Sequence, residues 1–438
     1  MRRNGFGLWE VGAPLFVFIL ATALRAWFAA YHQLPVVQDM LAYDTLARNL
    51  ATGHGFAYLP GQHADTFYPA NRGPTAFRPP LYPVLLAAIY LITDFSRAAV
   101  YTVQSVLGGA TAVLAWLLAR QLGARPLGAL AAGILVGIWP NLLIYSSLLL
   151  TENLLIPLLL AAVFLAVRAR AGARPEQSLA LAGTAAGLAV LTQPGTVLPL
   201  TALGLLGAAP LAPWRPYLRR LAAYALPAVL LAGLWIARDW AVFHTFVPVV
   251  SDGGVTLYFG NSPSFLAHGW APDFGPAVQR AVAGIRGEIA RNAAWQAQAL
   301  RFIAANPARF LALALYKAVQ MWNPVPVWFW GWVHPPEWFN ATAVPYLTLA
   351  ADAAAFAALA TRRGEGWSIL TWMIVLWTAS MAPFLGDMRF LAPSLPLVLT
   401  AAGAGPVRPP AGRLPRLLVA GGLWAVVLLS WLLPLVTS

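Results

Sequence analysis

The chain has 438 residues, of which 60% are hydrophobic and only 10% charged. A soluble domain carries about 25% charged residues, so this composition excludes a soluble globule and points to a polytopic membrane protein. Basic residues outnumber acidic ones by 28 to 15, and the absence of cysteine excludes disulfides, thiolate chemistry and cysteine-ligated metal.

Apolar runs of about 20 residues, enough to cross roughly 30 Å of hydrocarbon as helix, predict an all-α membrane protein with eleven spans, within a range of ten to thirteen. They fall at 11–31, 98–119, 126–145, 148–167, 178–192, 195–212, 220–241, 342–360, 367–385, 389–405 and 416–435, one integral membrane domain over 1–438. The ten-residue alternation of a transmembrane barrel is absent. The first run follows Arg2 and Arg3 but has no small-residue cleavage site before His32, so it reads as a span and not as a signal sequence.

With the N-terminus in the cytoplasm, the short inner segments hold Arg2, Arg3, Arg120, Arg125, Arg168, Arg170, Arg174, Arg215, Arg219, Arg220, Arg362, Arg363, Arg408, Arg413 and Arg416. Only Glu10, Glu176 and Glu365 oppose them. Excess arginine on the inner side orients membrane proteins, and it accounts for the positive charge without a nucleic-acid partner. The expected location is the plasma (inner) membrane. This threading leaves 32–97, Glu152, Gln193, the long loop 242–341 and Asp387-Met388-Arg389 at the outer face, where polar groups distant in sequence converge.

The first outer segment, 32–97, reads as the floor of an active site, because its charges must sit in water or line a polar cavity. Leu46, Ala47 and Leu50 recur at helical spacing after Asp39, and Gly53 and Gly55 end the pattern. Residues 81–93 are apolar but short for a span and read as an interfacial helix. In the long loop, Ser251-Asp252-Gly253-Gly254 and Gly260-Asn261-Ser262-Pro263 form a polar centre, and 280–301 reads as helix. The stretch 302–322 carries Lys317, the chain's only lysine, and precedes Trp328, Phe329, Trp330 and Trp332, an aromatic cluster suited to the headgroup level.

Asp39 opens a helix just outside the first span. It is either an N-cap or a general base for an acceptor hydroxyl or amine. Asp44 has Arg48 four residues on, the spacing of a helical ion pair. Glu152 is a carboxylate in a leucine run at an outer boundary, either a functional group or an interfacial residue that reaches water. Arg78 is restrained by Pro79 and Pro80 and offers a rigid fork suited to phosphate. Arg389 and Lys317 each read as a snorkelling anchor or as a ligand for a lipid phosphate. The histidines His32, His54, His63, His244, His268 and His334 show no HExxH spacing, so a divalent metal, which nothing in the sequence calls for, would rest on carboxylates. No GxxxxGK[ST] loop supports ATP-driven transport.

Taken in order, these motifs resemble the C-type (GT-C) membrane glycosyltransferases, specifically the protein O-mannosyltransferase and lipid A aminoarabinose transferase group. The resemblance rests on Gln38-Asp39-Met40-Leu41-Ala42-Tyr43, Arg78-Pro79-Pro80-Leu81-Tyr82-Pro83, Thr151-Glu152, Arg238-Asp239-Trp240, Gly260-Asn261 and Asp387-Met388-Arg389-Phe390. Two positions depart from the pattern: Gln193 stands where many relatives have arginine before proline, and Asp239 where asparagine is common. The resemblance implies a polyprenyl-phosphate-linked sugar as donor and a protein, lipid or glycan as acceptor. Asp39 would be the base, Glu152 would orient acceptor or sugar, and Arg78, Arg389 and Lys317 would hold the departing phosphate, with Tyr43, Tyr82 and Gln193 lining the substrate site. The sequence itself calls for no resident cofactor. A transporter or flippase of lipid-linked sugars, and a polysaccharide polymerase or ligase using the same carriers, are the competing readings.

Overall fold

The computed structural model describes the whole chain except residues 1–7, 63–71, 173, 264, 266–275, 324–342, 408–417, 419 and 429–438. The aromatic cluster at 328–332, His63, His268 and His334 lie outside the described residues, as does much of the last predicted span.

The described chain is built of helices: α1 (Leu8–Tyr31), α2 (Asp39–Ala51), α3 (Leu81–Thr93), α4 (Arg97–Gln121), α5 (Pro126–Ile138), α6 (Pro140–Leu143), α7 (Glu152–Arg170), α8 (Pro175–Thr192), α9 (Val197–Ala208) and α10 (Trp214–Phe243). They continue with α11 (Gly253–Gly260), α12 (Pro276–Arg280), α13 (Glu288–Ala305), α14 (Pro307–Gln320), α15 (Ala343–Thr361), α16 (Glu365–Met381), α17 (Met388–Leu391) and α18 (Leu395–Ala404). The sheet that accompanies them, unforeseen in the sequence, pairs β1 (Ala57–Tyr58) with β2 (Gly73–Pro74) antiparallel. The chain is an all-α polytopic membrane protein, as its composition requires.

Among the described residues, α1, α4, α7, α10 and α15 are each long and apolar enough to cross a membrane alone. Other predicted spans take broken or shortened forms. The run 126–145 bends by 52° between α5 and α6, and 389–405 is divided into α17, a short 3-10 turn and α18. Within the long loop, α13 and α14 meet at 109° at Asn306-Pro307, so this stretch is not one straight helix. Helix α3 is the short apolar helix expected at 81–93, and Gly53 and Gly55 follow α2 with positive φ of 80° and 75°.

A buried charge answers the break that a proline makes in the third predicted span. Proline has no N–H to give to the carbonyl four residues back, so Pro140 leaves the Val136 carbonyl without its helical donor. Arg25, 3% exposed within α1, donates to Val136 O at 2.9 Å and also to Gly137 O. Sequence reading missed this role, although an arginine inside one apolar run and a proline inside another were both visible.

Close helix contacts rely on small residues, as in membrane bundles generally. A Cβ on Gly183 in α8 would lie 1.9 Å from the Tyr224 carbonyl of α10. The principal core fills the space between α4, α5, α7, α16 and α18 with alanine, leucine and valine plus Trp116, Trp367 and Trp377. At one end of this bundle, the three acids predicted for the inner side are all paired with arginine. Glu10 meets Arg120 at 2.8 Å, Glu176 meets Arg219 at 2.6 Å, and Glu365 meets Arg170. The opposite helix ends carry the candidate site.

Candidate active site

Gln38 makes a sharp turn with φ of 51° at the head of α2, a region that non-glycine residues seldom occupy. Asp39 is the first residue of the helix rather than its cap, and no side chain caps this terminus. Its carboxylate faces two guanidinium groups: Arg78 Nη2 donates to Oδ1 at 2.6 Å and Arg389 Nη1 to Oδ2 at 3.0 Å. Arg389 also donates from Nε to Glu152 Oε1 at 2.7 Å. One chain of charge therefore runs Arg78, Asp39, Arg389, Glu152 through segments up to 350 residues apart.

Local structure fixes each member. Arg78 precedes two prolines that lead into α3, and its guanidinium lies 5.5 Å from the centre of the Tyr43 ring and 5.1 Å from that of Phe77. Glu152 is the first residue of α7, where the helix dipole favours negative charge. Arg389 follows Asp387, whose Oδ1 accepts the Arg389 backbone N–H at 2.8 Å and so caps α17. Burial pushes the Asp39 carboxyl pKa up, but Arg78 and Arg389 outweigh that and bring it down from 3.8 to about 2. Asp39 is thus an anion at neutral pH, bound to its arginines.

These residues line a cavity of about 410 Å³. Tyr43, Thr151, Thr192 and Gln193 contribute to its wall, as do Asp252, Thr256, Phe259 and Asp387. A larger apolar cleft, about 1200 Å³, lies between α14, α15, α16 and residues 420–427. Chemistry decides between the two: the cleft has Arg362 and Arg363 as its charged lining, whereas the smaller cavity gathers carboxylates and arginines at hydrogen-bonding distance of one another. Among the described residues no group of three or more acids or histidines converges so as to hold a metal ion.

Of the residues singled out in the sequence, Asp39, Arg78, Glu152, Arg389, Tyr43 and Gln193 come together here, and Lys317 and Tyr82 do not line the cavity. Tyr82 is buried in the wall behind it and donates to Gln104 Oε1 at 2.6 Å. The ammonium of Lys317, fully buried, donates to the carbonyls of Gly260 at 3.1 Å, Pro383 at 3.0 Å and Phe384 at 3.2 Å. It ties the Gly260-Asn261 segment to the approach of Asp387, a role that oxygen-rich backbone at this distance makes more economical than reaching a ligand. Gly260 permits that junction, since a Cβ there would sit 1.7 Å from Phe384 O. Asp44 is structural, bound by Arg48 at 3.1 Å and Arg97 at 2.9 Å.

In sequence Asp252 reads only as part of a polar loop centre, yet it lines the cavity; its separation of some two hundred residues from Asp39 hides that. Glu288, also missed, is 5% exposed and binds the segment before Arg78.

Fold and site together define a polytopic membrane protein whose helix ends enclose a carboxylate held between two arginines. Residues 77–237, which include Arg78 and Glu152, match the family described as dolichyl-phosphate-mannose-protein mannosyltransferase. Over that segment the resemblance to C-type membrane glycosyltransferases holds. No protein of curated function matches the sequence. Among solved structures, the chain is similar to the oligosaccharyltransferase AglB of Archaeoglobus fulgidus in complex with an inhibitory peptide and a dolichol-phosphate. Identity is 14% and the TM-score 0.48, covering 97% of this chain and 56% of that one, so the chain spans about half its length. It is also similar to ArnT of Cupriavidus metallidurans bound to undecaprenyl phosphate, with 13% identity, TM-score 0.41, and 91% and 78% coverage. A mycobacterial arabinofuranosyltransferase, AftD, gives 16% identity, TM-score 0.43, and 97% and 27% coverage.

Proposed function

We propose that the protein is a glycosyltransferase that moves a sugar from a polyprenyl phosphate to an acceptor at the outer face of the plasma membrane. The observation that carries this reading is the Arg78, Asp39, Arg389, Glu152 chain inside one cavity at the ends of the spans. The family match over 77–237 supports the same donor class.

The reaction is a single displacement. The acceptor oxygen or nitrogen forms a bond to the anomeric carbon as the bond from that carbon to the phosphate oxygen breaks, with inversion. Asp39 takes the acceptor proton, and polyprenyl phosphate departs with the electron pair. Fixed guanidinium groups aimed at a developing anion lower its energy without reorganisation at the moment of reaction, which is the role of Arg78 and Arg389. Glu152 holds Arg389 in place. Lys317 has no part in the step, because its ammonium is spent on backbone carbonyls.

Arg78 and Arg389 bind Asp39, and in the proposed reaction the donor phosphate engages the same guanidinium groups. Donor binding draws positive charge away from Asp39 and strengthens it as a base. A carboxylate with a pKa of about 2 is a feeble proton acceptor, so a phosphate that draws on Arg78 and Arg389 makes Asp39 the stronger base.

The test is transfer of labelled sugar by purified protein in lipid from a panel of polyprenyl-phosphate sugars. Consumption of donor supports the reading. Movement of intact donor across the bilayer without cleavage supports a flippase instead.

A further inference from the structure

Arg78 lies in a segment that regular structure does not hold. Before it comes only the two-residue strand β2, and the stretch Thr75-Ala76-Phe77 is itself neither helix nor strand. An unpaired buried peptide group costs about as much as a lost hydrogen bond, so the fate of these groups decides how firmly Arg78 is placed.

The N–H groups of Thr75, Ala76 and Phe77, the carbonyls of Thr75 and Ala76 and the Thr75 hydroxyl all have partners. Thr75 N donates to Phe56 O at 3.2 Å, and Thr75 O accepts from Arg238 Nη1 at 2.9 Å. Ala76 N donates to Glu288 Oε1 at 2.6 Å, and Ala76 O accepts from Ser251 N at 2.8 Å. Phe77 N donates to Thr75 Oγ1 at 3.0 Å, and that hydroxyl donates to Glu288 Oε2 at 2.7 Å. Glu288 therefore spends both carboxylate oxygens on a segment 212 residues away. It opens α13, where the helix dipole offsets its charge, and it does not line the cavity.

The geometry points to Glu288 as a positioning residue: it fixes the Thr75-Ala76-Phe77 strap so that the Arg78 fork stands over Asp39 and the departing phosphate. The inference rests on the reading of Arg78 as a phosphate ligand. It assigns the long loop a task in donor recognition that the cavity lining alone does not reveal. Misplacement by about 1 Å of a group that meets the transition state costs on the order of 10²-fold in rate, and that is the loss expected when the carboxylate is removed.

The chain's lack of cysteine permits a direct measurement. A nitroxide is attached at P74C, an exposed position beside the strap, with and without E288A or E288Q. Transfer and affinity for polyprenyl phosphate are measured on the same changes in the native background and together with R78A. The expected results are a more mobile label in E288A, a loss of kcat on the order of 10²-fold, and partial recovery in E288Q, whose amide oxygen still accepts from Ala76 N. In the R78A background E288A should add almost nothing, because residues acting through one another are not additive. An unchanged label, or an equal loss with and without Arg78, overturns the inference. If E288A does not fold, E288Q and E288D carry the same comparison. Absence of transfer and of phosphate binding in the native protein refutes the proposed function, while the label still decides whether Glu288 holds the strap.

Discussion

Asp39→Asn separates binding from chemistry. In the native protein two guanidinium groups lie 2.6 and 3.0 Å from the carboxylate. They lower its pKa from 3.8 to about 2 against the opposing effect of burial. That difference corresponds to roughly 2 kcal/mol of net attraction between the anion and its surroundings. A donor phosphate must compete with it for the same nitrogens. Asparagine removes the competing charge with little change in shape, so polyprenyl phosphate should bind about tenfold more tightly if roughly 1.4 kcal/mol of the attraction is released. Transfer should fall by 10²- to 10⁴-fold, the range for loss of a general base. Titration of polyprenyl phosphate into the protein in nanodiscs gives the first quantity, and single-turnover transfer gives the second. Weaker binding in D39N would refute the competition, and transfer at the native rate would refute the base.

Three further outcomes follow from the same geometry. Asp39 has a depressed folded pKa, so its contribution to stability is complete above the ordinary value of 3.8 and is lost as pH falls through about 2. Chemical denaturation between pH 5 and pH 2 should show about 2 kcal/mol of acid-dependent loss that D39N lacks; an identical pH slope in both would contradict it. Arg389→Ala leaves two carboxylates without their shared partner and should cost about 3–5 kcal/mol, read as a lowered Tm. R389K should restore little of the activity, since Nε and Nη1 serve different acids and an ammonium has no such fork; recovery by lysine would argue for a simple point charge. Lys317→Met should lower Tm by loosening the junction of Gly260 with Pro383 and Phe384, while polyprenyl-phosphate affinity stays near native. A matching fall in affinity would return Lys317 to the phosphate site.

Much of the architecture is legible because hydrocarbon imposes two simple demands, length and apolarity. The runs leading to α1, α4, α7, α10 and α15 satisfy both. The members of the charged chain are legible for the converse reason: Asp39, Glu152 and Arg389 stand at the ends of such runs, where a charge has a use or a cost. Sequence also separates Asp44 from Asp39, because Arg48 one turn on announces an ion pair that the fold retains. Asp39 itself had two readings, cap or reactive group. Its place as the first helical residue, facing Arg78 and Arg389, removes the first.

What sequence conceals has a common physical cause. Arg25, Lys317 and Glu288 all serve backbone groups freed where regular structure stops, and such groups become visible only once the breaks are placed. Arg25 answers the carbonyl that Pro140 leaves open, Lys317 the carbonyls at 260 and 383–384, and Glu288 the amide at Ala76. In water these groups would be solvated and the side chains free to act on ligands or to snorkel, the two ways in which Lys317 reads from sequence alone. Inside a membrane protein the unsatisfied carbonyl is the stronger claimant, since leaving it bare costs several kcal/mol. A buried cation beside broken helix ends is therefore better assigned first to the backbone, and among the described residues Arg78 and Arg389, which face the cavity, are the arginines left for the proposed phosphate.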